Sequence, residues 1–87
     1  MVTTSYVTAD QLPILLVTHE RDEGGGSLWQ FHCGNSDYSE SVLQLVRLDE
    51  ILQLDETLLE VANLPRGFRA TRRKVGEPWA IEDDSTA

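Results

Sequence analysis

A single segment of this 87-residue chain carries helical spacing, and the apolar runs on both sides of it read as strands. From Asp49 the residues DEILQLDETLLEVANL place Ile51, Leu54, Leu58 and Ala62 at helical intervals, with Asp49 as the N-cap. Asp55 is of the right type to cap a second short helix, so the segment is one helix or two. Pro65 and Gly67 stop it. Upstream, ILLVTHE (Ile14–Glu20) reads as a strand opened by Pro13, LWQFHC (Leu28–Cys33) as a second and VLQLVRL (Val42–Leu48) as a third. RDEGGGS joins the first two as a hairpin, and GNSDYSES forms a loop. Downstream, FRATRRKV (Phe68–Val75) is a fourth strand and WAI (Trp79–Ile81) begins a short last one.

Strands, a helical segment, then strands predict an α+β domain. Its expected form is a small antiparallel sheet of about four to five strands, with one helical segment (one or two short helices) packed on one face. A single domain is expected over residues 1–87. Residues 1–12 and 82–87 are read as flexible ends, with Tyr6 and Val7 pinned to the body.

Composition narrows the function. A chain this short buries a limited fraction of its surface, so each large apolar residue matters. The longest apolar run, Ile14–Val17, is far short of a membrane span, and the polar start MVTTSYVTADQ carries no secretory or transit signal. The expected location is cytoplasmic, with no membrane association. One cysteine excludes an internal disulfide and zinc sites built from cysteine pairs. A net charge of −8 argues against general nucleic-acid binding.

That charge is segregated. Arg66, Arg69, Arg72, Arg73 and Lys74 supply five of the seven cations within nine residues, while the rest of the chain holds two cations and all fifteen acids. In strand alternation Phe68, Ala70 and Arg72 share one face, and Arg69, Thr71 and Arg73 the other. The pair Arg72–Arg73 interrupts the pattern and points to an edge or a bulge. Two readings follow. The cations neutralise an acidic body and discourage edge pairing, or they form a docking patch for an acidic partner or a phosphate-bearing ligand. The acids Asp37, Glu40, Asp49, Glu50, Asp55, Glu56, Glu60 and the tail define a negative face. It either solvates the chain or attracts a basic partner.

Reactive side chains are few. Alternation in LWQFHC puts Trp29, Phe31 and Cys33 on one face and Leu28, Gln30 and His32 on the other. Cys33 is therefore read as a core residue, and His32, like His19, as a surface or edge histidine. His19 and His32 on adjacent strands leave a metal short of ligands, so no metal or cofactor is expected. The glycine run lacks the Lys-Ser/Thr pair of a phosphate loop, and there is no nucleophile elbow or HExxH. The chain is read as a non-enzyme.

The segments WQFHCG, VRLDEILQLD, LPRGFRATR and the late PW together resemble the domain-of-unknown-function 2185 group of short bacterial proteins, which overlaps predicted immunity proteins of toxin systems. The similarity spans residues 14–81 and is densest at Leu64–Arg72. It implies an α+β fold and a non-catalytic role. The matching positions are Trp29, Phe31, Cys33, Gly34, Leu64, Pro65, Gly67, Phe68, Arg72 and Trp79. In that group the place of His32 is usually apolar, and Phe68 stands where many members have tryptophan.

The sequence thus leads to a cytoplasmic, non-catalytic protein-interaction domain, of an immunity type that neutralises a bacterial toxin, with a basic toxin as the expected partner. Its candidate binding residues are Arg66, Arg69, Arg72, Arg73, Lys74 and Trp79. The alternative is a small regulatory domain that holds an anionic, phosphorylated or nucleotide ligand on the arginine strand. A short edge strand or an exposed aromatic offers a route to a homodimer, and the sequence does not decide the oligomeric state.

Overall fold

The computed structural model describes residues 1–21, 24, 26–35 and 39–83. Six strands form one sheet: β1 (Val2–Thr4), β2 (Leu16–Arg21), β3 (Ser27–His32), β4 (Leu43–Leu45), β5 (Phe68–Thr71) and β6 (Ala80–Asp83). Their spatial order is β4-β1-β3-β2-β5-β6. Two helices, α1 (Ser5–Thr8) and α2 (Leu48–Leu54), accompany a 3₁₀ turn at Glu40–Val42 and a 3₁₀ helix at Glu56–Val61. The class is α+β, as expected. The sheet is larger than expected and mixed, because β1 pairs with β3 in parallel while every other pair is antiparallel.

The extra strand comes from the end read as frayed. Val2-Thr3-Thr4 is too short and polar to announce itself by apolar alternation, yet threonine is β-branched and favours the pleated conformation. Thr3 is fully buried and its Oγ1 donates to the Phe31 carbonyl at 2.9 Å, which satisfies the hydroxyl inside the sheet. At the other end β6 runs through Asp83. Residues 84–87 lie outside the described residues, as do Asp22, Glu23 and Gly25 of the hairpin turn and Ser36, Asp37 and Tyr38 of the next loop.

The hairpin of β2 and β3 pairs Val17 with Phe31 and His19 with Trp29. Across β2, Ala70 and Phe68 of β5 oppose the same two residues. Paired residues share a face, so Val17, His19, Trp29, Phe31, Phe68 and Ala70 point the same way. That face packs on the helical layer, where Ile51, Leu58, Val61 and Leu64 join Val17, Phe31, Cys33 and Ala70 in one buried core. Each such buried aliphatic side chain contributes roughly 1.5–3 kcal/mol of transfer free energy.

The helical layer departs from uniform spacing. Helix α2 begins at Leu48 with Arg47 as N-cap, two residues before the expected Asp49. The Glu50 carboxylate accepts the Arg47 N–H at 3.1 Å, and Asp49 and Glu50 lie in the first turn, where the helix dipole favours carboxylates. At Asp55 the backbone becomes extended, and the Asp55 carboxylate accepts the N–H of Thr57 at 3.0 Å, capping the 3₁₀ helix. Two short helices are therefore present. In the second the buried residues, Leu58 and Val61, lie three apart, matching three residues per turn, and the buried Leu64 continues that interval just beyond its end. Leu54 and Ala62, assigned to the apolar stripe by 3.6-residue spacing, are exposed instead.

The expected third strand shortens to β4, an edge strand of three exposed residues. Among the described residues no helix is long and apolar enough to cross a membrane.

Candidate functional site

The arginine-rich segment does not form a single patch. Strand β5 is interior, flanked by β2 and β6, so the edge expected at Arg72–Arg73 is not there. Alternation instead runs on past the end of the strand. Phe68, Ala70 and Arg72 face the helical layer, and the Arg72 side chain is wholly buried. Its Nε and Nη2 donate to the Ile14 carbonyl at 3.1 and 3.0 Å. Nη1 donates to Thr57 Oγ1 at 2.9 Å, and Nη2 also donates to Asp55 Oδ2 at 2.6 Å. The Trp79 ring covers the guanidinium, 4.1 Å from its carbon to the ring centroid. Arg72 and Trp79, both expected among the binding residues, are thus spent on each other and on the entry to the 3₁₀ helix.

The other cations disperse. Arg69 projects from the opposite face of the sheet and pairs with Glu82 at 3.1 Å. Arg73 pairs with Glu77 at 3.7 Å in the turn after β5, and Lys74 is exposed beside it. Arg66 is exposed in the loop before β5. Five cations within nine residues therefore reach at least three separate places, and the acids of β6 and its approach meet two of them.

The histidines also separate. His19 and His32 stand on neighbouring strands but on opposite faces of the sheet. His19 stacks on Trp29 with centroids 4.0 Å apart, and its Nδ1 lies 2.6 Å from the Leu64 carbonyl oxygen. A carbonyl only accepts, so Nδ1 carries the proton. His32, expected at the surface, is 4 % exposed because β3 is enclosed between β1 and β2. Its Nε2 lies 2.9 Å from Gln30 Oε1, and burial lowers its pKa. Cys33 is buried in the core, where alternation placed it. Among the described residues no three His, Cys, Asp or Glu side chains gather as a metal site.

A further surface with chemical character is the outer side of the helical layer. Between Arg47 and Arg66 the chain has five acids and no cation. Arg47 engages Asp49 and Glu50, each at 3.4 Å, and Asp55 is held by Arg72. Glu56 and Glu60 are exposed and make no ion pair among the described residues. Of the other acids expected on this face, Asp37 and the side chain of Glu40 lie outside the described residues.

Apolar residues break this acidic surface. Leu48, Leu54 and Leu59 are more than half exposed. A cleft of about 270 Å³ opens between β3 and the helical layer, with Trp29, Phe31 and Ile51 at its base and Leu48, Leu52 and Leu59 around it. Leu52 also borders an adjoining depression lined by Asp49, Gln53, Asp55 and Glu56. Sequence reasoning missed these leucines because the stripe of Ile51, Leu54, Leu58 and Ala62 assigns Leu54 to the core and leaves Leu52 and Leu59 without a role, while Leu48 falls at the end of the expected third strand. The available signal was their number: the segment holds more leucines than one narrow stripe buries.

The class defined by this geometry is an α+β domain with a mixed six-stranded sheet, one face of which carries an acidic helical layer. No protein-family model, curated protein or solved structure matches the chain.

Proposed function

We propose that this chain is a non-catalytic protein-interaction domain that binds a basic protein partner through its helical layer. The observation that carries this reading is the outer surface of residues 48–61, where exposed leucines sit among acids with no lysine or arginine. Apolar area supplies affinity at such a surface, while uncompensated carboxylates steer and select a cationic partner. The dispersal of the arginines supports the same side of the molecule over the anionic-ligand alternative, since Arg72 is interior and Arg69 and Arg73 already meet carboxylates. The more particular reading, an immunity-type protein that neutralises a bacterial toxin in the cytoplasm, rests on the resemblance at Leu64–Arg72 and on the acidic surface.

Affinity capture with the wild-type chain and with Glu56→Lys/Glu60→Lys tests the proposal. The expected result is a specific basic protein retained by the wild type at about physiological salt and lost by the charge-reversed variant. A partner held equally by both proteins, or no specific partner, overturns it.

A further inference from the structure

The cleft beneath Leu52 and Leu59 has a size and a setting that define its occupant. At about 270 Å³ it lies just below the range of roughly 300–1,000 Å³ typical of small-molecule sites. It exceeds the ~150 Å³ cavity that holds a benzene ring. One bulky side chain is the matching size. The wall is apolar and aromatic throughout, with Trp29 and Phe31 from β3 facing Ile51, Leu52, Leu58 and Leu59, so the cleft has little to offer a polar or charged group.

The surroundings decide what carries that side chain. Through Leu52 the cleft adjoins the depression lined by Asp49, Asp55 and Glu56, and Glu60 follows Leu59 directly in sequence. An apolar group delivered here arrives beside carboxylates. A second copy of the chain is disfavoured: a two-fold contact through this layer would set the same acids against each other on a chain of net charge −8. An anionic lipid or fatty acid is disfavoured by the same charge.

We propose that the cleft between β3 and the helical layer is an anchor socket for one large apolar side chain, Phe, Leu or Trp, on a lysine- and arginine-rich segment of a protein partner. This rests on the proposed role of the helical layer in binding a basic protein, and it assigns the division of labour within that surface. Trp29 and the leucines take the anchor, and Glu56 and Glu60, which make no ion pair among the described residues, take the flanking cations. Interfaces of this kind concentrate their affinity in such a central anchor, with the charged rim contributing mainly rate and selectivity.

Trp29 gives a direct reporter. The chain has two tryptophans, so Trp79→Phe leaves Trp29 alone as the fluorophore at the base of the cleft. The probes are a lysine-rich dodecapeptide with a central Phe, the same peptide with Ala at that place, and the Phe peptide with serines for its lysines. The Phe peptide is expected to change Trp29 emission saturably and to bind about tenfold or more tightly than the Ala peptide. Ala62→Phe, which crowds the cleft from an exposed position, and Leu59→Ser, which removes part of its wall, are each expected to erase that difference. A thermal melt of each variant confirms folding.

Equal binding of the Phe and Ala peptides, with both lost in Glu56→Lys/Glu60→Lys, overturns the socket and leaves the basic-partner reading standing. No peptide binding, or binding indifferent to the charge reversal, overturns both. Binding of the serine peptide as tight as that of the lysine peptide overturns the cationic occupant. A dimer in sedimentation that Ala62→Phe dissociates assigns the cleft to a second copy and overturns the proposal.

Discussion

Arg72 and Asp55 meet inside the fold: Nη2 donates to Oδ2 at 2.6 Å, with the arginine side chain fully buried and the carboxylate 12 % exposed. The contact ties the end of β5 to the N-cap of the 3₁₀ helix, while two further donors from Arg72 reach Ile14 at the approach to β2. A buried guanidinium is tolerated here because four of its five N–H groups have acceptors at 2.6–3.1 Å and an aromatic face covers it.

Removing one partner of such a pair leaves the other buried and uncompensated. Arg72→Ala is expected to cost about 3–5 kcal/mol in urea unfolding. Arg72→Lys is expected to recover only part of the loss, since an ammonium lacks the planar fork that reaches Ile14, Thr57 and Asp55 together. The adjacent Arg73→Ala is expected to stay within about 0.5 kcal/mol of wild type, because its side chain is 89 % exposed. Equal effects at the two positions contradict this assignment.

Trp79 acts on Arg72 through its ring, and its indole N–H has no hydrogen-bond partner among the described residues. Trp79→Phe keeps an aromatic face over the guanidinium and removes that buried donor, so a loss under about 1 kcal/mol is expected. Trp79→Ala uncovers the guanidinium and is expected to cost about 2–3 kcal/mol, below the full cost of a buried aromatic because Trp79 is half-buried. Thermal melts of the two variants separate these outcomes.

His32 imposes a pH dependence of definite sign. Burial holds its pKa below the ordinary 6.5, so the unfolded chain takes up the proton first as pH falls. The stability linked to His32 is fully present above about pH 6.5 and is lost as pH drops toward the lower native value. Urea midpoints compared at about pH 7.5 and about pH 5.5 are expected to fall on acidification, and His32→Gln to reduce that fall. A variant with the full wild-type pH slope assigns the effect to other groups.

Gly34 follows the buried Cys33 at φ +84°, where a Cβ would meet only ordinary contact with the Leu15 side chain at 3.7 Å. Gly34→Ala is therefore expected to cost about 1–2 kcal/mol from the backbone alone. Gln11, at φ 57°, is the converse case, and Gln11→Gly is expected to be neutral or slightly stabilising. Denaturant midpoints with unchanged slopes are the expected signature of both.

Much of this arrangement was legible where the governing pattern is local. Alternation in LWQFHC assigned Trp29, Phe31 and Cys33 to the core side, and alternation in FRATRR assigned Arg72 to the face of Phe68 and Ala70. The capping potential of Asp55 and the stop at Pro65–Gly67 were likewise readable, because caps and breakers act within a few residues. The destination of Arg72 was not. As one of five neighbouring cations it looked like part of a binding patch, and only Asp55, Thr57, Ile14 and Trp79 together make an interior place for it.

By itself, then, the sequence determined the α+β class, the order of most elements, the inward side of β3, the division of β5 into two faces, and the acidic character of residues 48–61. Tertiary structure decided that Val2–Thr4 enters the sheet, that the second helix turns every three residues, that Arg72 is enclosed, and that a cleft opens beside Trp29. The physical reason is separation along the chain. Thr3 finds its acceptor 28 residues away at Phe31 and Arg72 finds one 58 residues away at Ile14. Burial of a polar side chain depends on such remote partners, whereas periodicity, capping and turn chemistry are settled by near neighbours.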